Sequence, residues 1–196
     1  MDVKKHYDML IDEDNDPFRD PPILQEYMNK WDGQIFLDAL KLDKKKNVLE
    51  IGIGTGRIAA KTAPHCLNLT GIDISPKSVE RAKDNLKDHP NISFICDDFY
   101  RHQFEDTFDI IYSSLTMMHF EDKKEVISKV DKLLNKNGIF CLSIDKDQSE
   151  YIDMQTRKIK IFPDTCENIV SLIEETDMTV SDVFETENAY IIVSNK

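Results

Sequence analysis

From Asn47 onward the chain alternates short apolar runs rich in β-branched residues with amphipathic stretches of helical period, which restricts the fold more than any other feature. The apolar runs read "NVLEIGI", "LNLTGIDI", "ISFICDD", "FDIIYSS" and "GIFCLSI". The helical stretches read "RIAAKTA", stopped by Pro64, then "PKSVERAKDNLKD" and "DKKEVISKVDKLL". Apolar strands interleaved with helices build a mainly parallel sheet covered on both faces. Ser75 followed by Pro76 is an N-cap and first-turn pair, so a helix is expected directly behind the second strand. The chain ends differently. After the helix "CENIVSLIEET" two strand-like runs, "TVSDVF" and "AYIIVS", are separated by only four residues. A parallel crossover needs about a dozen or more, so this pair must form an antiparallel hairpin.

Ahead of the sheet, residues 1–46 predict two helices, one near "KKHYDMLI" and one from Pro22 to about Leu40. The joint "DEDNDPFRDPP" carries Pro17, Pro21 and Pro22, which make it a stiff non-helical loop. The expectation is one domain over residues 1–196, with a helical cap (1–46) lying over the carboxyl edge of a sheet core (47–196) or at its side.

Within "VLEIGIGTGR", Gly52, Gly54 and Gly56 sit where the first strand turns into the first helix. Missing Cβ atoms there let a ligand touch the main chain, and a helix amino end offers free N–H groups. The pattern alone is weak, because "GTGRIA" also fits a dinucleotide-binding turn, with Asp73 placed as a ribose-binding acid. A nicotinamide-dependent oxidoreductase is therefore an alternative, although a sheet ending in a hairpin is not the all-parallel sheet of such a domain. Three acids weigh against it. Glu50 precedes the first glycine by two, Asp73 ends the second strand and Asp97 ends the third, so successive carboxylates line one edge of the sheet. That arrangement suits a ligand with a ribose diol, an amine and a formal positive charge.

With these motifs in order, the sequence resembles the class I S-adenosylmethionine-dependent methyltransferases. "VLEIGIGTGR" is similar to that family's acidic, glycine-rich first motif, "GIDIS" to its second, "FICDDF" to its third, and "FDIIYSSLTMMHF" to the fourth-strand region of small-molecule members. The resemblance implies a doubly wound, Rossmann-like α/β sheet of seven strands in the order 3-2-1-4-5-7-6, and S-adenosylmethionine as cofactor. It also implies that Gly52, Ile53, Gly54 and Gly56 cradle the methionine part, while Glu50 orients that turn and the ammonium region. By the same likeness Asp73 accepts from the ribose hydroxyls, Ile74 packs on the adenine, Asp97 with the main chain of Asp98 and Phe99 reads its edge, and Ser114, at the fourth strand's end, is a further cofactor-binding residue. A protein that binds the cofactor without catalysing is a third reading.

Methyl transfer from a sulfonium needs chiefly alignment and exclusion of water, and a base only where the acceptor arrives protonated. Candidate bases are His119, just past the fourth strand, and His6 or Tyr7 in the cap; His119 has the better position, near the switch point between strands one and four. Tyr7, Trp31 and Met118 are candidate pocket-lining residues. The stretch "KDQSEYIDMQTRKIKI" is longer than a minimal connection, and its Arg157 is a candidate holder of a substrate carboxylate. An acidic cavity would favour amine acceptors, and a hydrophobic one ringed by Trp31 and the methionines an aromatic or lipid-like acceptor.

Composition narrows the partners. A net charge of -12 with scattered lysines repels phosphate backbones, so nucleic acid is not an expected partner. No motif of the DNA amino-methylating or cytosine enzymes stands after the fourth strand, the double-glutamate loop of protein arginine enzymes is absent, and no metal-ligand set stands out. The remaining expectation is a small-molecule acceptor. The four cysteines form no CxxC pair and read as reduced, buried thiols. The N-terminus lacks the apolar core of a signal peptide, and no stretch approaches the roughly 18 apolar residues that span a bilayer, so a cytoplasmic protein without membrane contact is expected.

Overall fold

The computed structural model describes residues 2–154 and 156–196. Five parallel strands, β1 (Asn47–Ile51), β2 (Asn68–Asp73), β3 (Ile92–Cys96), β4 (Phe108–Ser114) and β5 (Leu134–Asp145), form the greater part of a seven-stranded sheet. A two-stranded hairpin, β6 (Tyr151–Asp153) and β7 (Lys158–Lys160), stands apart from it. The last strands, β8 (Thr179–Glu185) and β9 (Ala189–Asn195), pair antiparallel, and β9 inserts between β5 and β8. The resulting order, β3-β2-β1-β4-β5-β9-β8, is the expected one once the extra hairpin is counted in the numbering.

Side chains along β1 alternate between the two faces, as strand geometry requires. Leu49 and Ile51 pack with Phe140, Val126 and Ile169 on one face, and Val48 packs with Leu69, Tyr112 and Phe36 on the other. Helices α6 (Lys123–Leu133) and α7 (Cys166–Glu174) cover the first face. Asp122 caps α6 by accepting from Glu125 N–H at 2.9 Å, and Thr165 caps α7 by accepting from Asn168 N–H at 3.2 Å.

The cap begins with α1 (Val3–Asp12). The single helix expected from Pro22 to Leu40 is two, α2 (Pro22–Met28) and α3 (Gly33–Ala39). The break has a local cause. Gly33 sits at φ +66 and Asp32 turns out of helical geometry, its carboxylate capping the Gly33 N–H at 2.6 Å. The first crossover is also shorter than "RIAAKTA" suggests: α4 (Ala59–Thr62) is four residues long and passes into a 3-10 turn, Ala63–His65, that carries Pro64. The glycine bend therefore offers a ligand exposed main chain rather than the dipole of a long helix.

Helix α5 (Pro76–Asn85) starts where Ser75 and Pro76 place it, with Ser75 Oγ accepting from Ser78 N–H at 3.1 Å. The cap is latched onto this helix. Ser75 Oγ donates to Asp8 at 2.7 Å, Lys77 pairs with Asp12 at 2.5 Å, and Arg81 reaches Asp16 at 3.0 Å. Of the cysteines, Cys66 and Cys141 are buried and Cys166 is half-buried; Cys96, expected to be buried, is exposed because it sits at the end of outer strand β3. Among the described residues no helix is long and apolar enough to cross a membrane.

Candidate active site

The carboxyl ends of β1 to β4 open into a cavity of about 390 Å³ beside the switch point between β1 and β4. Each strand contributes residues at or just beyond its carboxyl end.

From β1 come Glu50 and the glycine bend. Gly52, at φ +81, donates its N–H to Ile72 O at 2.8 Å, and an added Cβ would lie 2.2 Å from Thr116 Oγ1. Gly54, at φ +54, faces open space, with nothing within 4 Å of an ideal Cβ. Gly56, at φ +93, does something else: a Cβ there would strike Leu86 Cδ1 at 2.5 Å, so its bareness serves packing against the end of α5. It does not line the cavity, which corrects the expectation that all three glycines cradle a ligand; Ile53 does line it.

Glu50 is 3 % exposed and accepts a hydrogen bond from Tyr112 O–H at 2.8 Å, while Tyr112 also bonds Thr62 Oγ1 at 2.9 Å. Burial pushes the Glu50 carboxyl up to about 8, against the opposing pull of Tyr112 and of the nearby Arg57 charge. A cation entering beside it would favour its ionised form. Asp73, at the end of β2, accepts from Gly54 N–H and from Ser75 N–H, both at 2.9 Å, and thereby fixes the bend. Burial raises its carboxyl above the usual range, against those hydrogen bonds. A carboxylate has about four lone-pair positions, so capacity remains for two further donors such as a ribose diol.

Ile74, Asp97, Asp98 and Phe99 line the same cavity. Asp97 is exposed; it accepts from Asp98 N–H at 2.8 Å and pairs with His102 Nδ1 at 2.9 Å, which holds it below the usual carboxylate range. Asp98 accepts from Tyr100 N–H at 2.9 Å. Both acids therefore shape the turn after β3 as well as facing the cavity.

Sequence reasoning missed a buried ion pair at the cavity wall. Asp32 meets the Arg57 guanidinium with both oxygens, the Nη1 contact being 3.1 Å, and also accepts from Ser114 Oγ at 2.9 Å. Arg57 and hydrogen bonding hold Asp32 below its ordinary value despite burial. The available signals were Arg57 closing the glycine stretch and Asp32 standing before Gly33 as a cap; nothing in their spacing joins them.

His119 lines the cavity, and its Nε2 lies 2.7 Å from Tyr7 O–H with the rings edge to face. Its Nδ1 is buried with no hydrogen-bond partner among the described residues. Burial pushes the imidazole down to about 4, with the nearby His6 and Lys123 acting in the same direction. An effective general base has a pKa near the working pH. His119 is thus a neutral hydrogen-bonding group at pH 7, which weakens the expectation of a catalytic base. Tyr7 is raised by burial and stays protonated.

Tyr7, Met28 and Leu115 also border a second cavity of about 440 Å³, whose lining includes Trp31 and Met118. Leu115 is held at φ +55, a strained backbone for a bulky residue, at the junction of the two. Arg157 borders neither cavity. It is buried against Glu13, at 2.5 and 2.6 Å, and donates to His6 Nδ1 at 3.2 Å, so its guanidinium is committed and is not available to a substrate carboxylate. His6, the other cap base considered, is buried in that same contact and held below its ordinary value mainly by burial.

An open Gly54 beside a half-buried acid with spare acceptor capacity, a buried carboxyl that would ionise next to a cation, and an apolar wall from Ile74 and Phe99 together match an adenosyl sulfonium in donor chemistry. This hairpin-ended sheet with acidic strand ends is the architecture of class I S-adenosylmethionine-dependent methyltransferases. The family model described as a methyltransferase domain matches residues 49–142. That match spans just under half of the chain, which over this stretch is similar to the methyltransferase family. It is 30 % identical over 150 residues to malonyl-(acyl-carrier protein) O-methyltransferase 1 of Ilyobacter polytropus, covering 74 % of this chain and 55 % of the relative. The chain spans about half the length of the curated relatives it matches. Among solved structures, the N-methyltransferase NodS of Bradyrhizobium japonicum WM9 in complex with S-adenosyl-L-homocysteine aligns with a TM-score of 0.71 at 21 % identity, over 91 % of this chain and 90 % of that one. The 4+2 cyclase SpnF aligns with a TM-score of 0.66 at 15 % identity, over 81 % and 78 %. At such identities the likeness concerns the fold alone.

Proposed function

We propose that this protein binds S-adenosylmethionine in the cavity at the ends of β1 to β4 and transfers its methyl group to a small-molecule nucleophile that enters through the adjoining cavity. The observation that carries the reading is the Gly54 to Asp73 hydrogen bond at 2.9 Å, which sets an open stretch of main chain beside a carboxylate with acceptor capacity to spare.

Bound S-adenosylmethionine supplies an electrophilic methyl on a sulfonium. In this reading Asp73 would take the ribose hydroxyls, Ile74 would pack on the adenine, and Asp97 with the main chain of Asp98 and Phe99 would read its edge. Glu50, ionising as the cationic ligand arrives, balances its charge, while the Arg57 to Asp32 pair and Ser114 fix the far wall. Tyr7, from the cap, closes the cavity against His119 and keeps water from the methyl-facing side. His119 presents an unprotonated imidazole whose contribution is orientation of the acceptor rather than strong proton abstraction.

The relatives' names include an oxygen methylator and a nitrogen methylator, so the likeness leaves the acceptor atom open. The oxidoreductase alternative is disfavoured by the hairpin-ended sheet. Thermal melts separate the two directly: S-adenosylmethionine should raise the midpoint in proportion to the logarithm of its concentration, and NAD should leave it unmoved. The reverse pattern would overturn the proposal. Formation of S-adenosylhomocysteine on addition of acceptors distinguishes an enzyme from a silent binder.

A further inference from the structure

The second cavity combines an apolar floor with an unbalanced negative charge. Trp31, Met118, Leu115 and Ile161 supply the floor, and Asp145, Asp147, Asp153 and Asp164 supply the charge. Among the described residues, no Lys or Arg borders it. Asp164 is neutralised by Lys123 at 3.0 Å, and that ammonium is saturated by the carbonyls of Phe120 and Phe162 at 2.6 and 2.8 Å. Lys158 stands 4.0 Å from Asp153. Asp145 and Asp147 have no cationic partner among the described residues. Asp145 is half-buried and oriented: Oδ2 accepts from Trp31 Nε1 at 2.7 Å and Oδ1 from Asp147 N–H at 2.7 Å. The adjacent Lys146, the nearest cation in sequence, is turned away to Glu185 and the Thr186 carbonyl.

A half-buried carboxylate pinned to an indole, with every nearby cation directed elsewhere, is a partly desolvated negative charge beside an aromatic face. Both elements attract an organic cation. The cavity shares Tyr7, Met28 and the strained Leu115 with the cavity at the ends of β1 to β4, so a molecule held there adjoins that site.

We infer that the second cavity is the acceptor site and that it selects an amine carried on an apolar body, held as its ammonium form by Asp145 and Asp147 with its hydrocarbon on Trp31 and Met118. This rests on the methyltransferase reading. The ammonium first loses one proton to solvent. The freed nitrogen lone pair then forms the N–C bond to the methyl as the C–S bond breaks, its electron pair remaining on sulfur. The products are an N-methylammonium and a neutral thioether, and the single positive charge is conserved. Below the ammonium pKa, turnover should rise about tenfold per pH unit, because the reactive form is the free amine.

The test uses calorimetric titration of the full chain saturated with S-adenosylhomocysteine, with matched probes: 2-phenylethylamine against 2-phenylethanol, tryptamine against tryptophol, hexylamine against hexanol. At least one amine should bind at least about tenfold more tightly than its alcohol. Asp145→Asn, which keeps the acceptor for Trp31, and the exposed Asp147→Asn should together erase that preference and leave S-adenosylhomocysteine affinity unchanged. Alcohols binding as tightly as their amines throughout, or a preference that survives in the double variant, would overturn the assignment. Failure of S-adenosylhomocysteine itself to bind would instead overturn the methyltransferase reading, and this proposal with it.

Discussion

At the scale of single residues, three neighbouring glycines perform three different tasks, and their substitutions should separate accordingly. An alanine at Gly52 combines φ +81 with a contact of 2.2 Å to Thr116, so Gly52→Ala should destabilise the fold. Gly54→Ala meets nothing within 4 Å and costs only the left-handed backbone, about 1–2 kcal/mol. It should fold, yet lose S-adenosylmethionine binding, because its methyl occupies the open cradle. Melting curves with and without ligand check both outcomes, and a Gly54→Ala protein that binds normally would refute the cradle. The motif made the bend legible in sequence, and the acids at Glu50 and Asp73 with it. The separate role of Gly56 was not legible, because its partner Leu86 is brought to it only by the packing of α5.

Strands of the sheet were readable to within about two residues, because strand period, the Ser75 cap and proline breaks are local signals; the exception is β5, which begins at Leu134, four residues before the run "GIFCLSI". The cap was read less well. Helical pattern runs through 22–40 without interruption, and what breaks it is a tertiary demand: Asp32 leaves the helix to meet Arg57 and Ser114, contacts 25 and 82 residues away. Sequence spacing carries no trace of such a pairing. Since Asp32 and Arg57 have side chains only 4 % and 12 % exposed, Asp32→Ala should strand a buried guanidinium and lower stability by about 3–5 kcal/mol. Urea denaturation measures it, and a loss below about 1 kcal/mol would mean the pair does not anchor the cap. Arg157 illustrates the same limit: a cation in a long connection reads as a substrate contact until Glu13 and His6 are found against it.

For the whole molecule, topology was the most legible property, since four residues between the last two strands permit a hairpin and nothing else. Less legible was the meeting of the cap, the β4 end and the inserted hairpin around a second cavity next to the first. The proposed cofactor binding centres on the first cavity, with Asp73 at its heart. The most direct test is calorimetric titration of S-adenosylmethionine into the wild type and Asp73→Ala. Charge-assisted hydrogen bonds contribute about 1.5–3 kcal/mol each, so one-to-one binding should weaken by tens of fold or more in the variant. Equal affinity in the two proteins, or none in the wild type, would contradict that assignment.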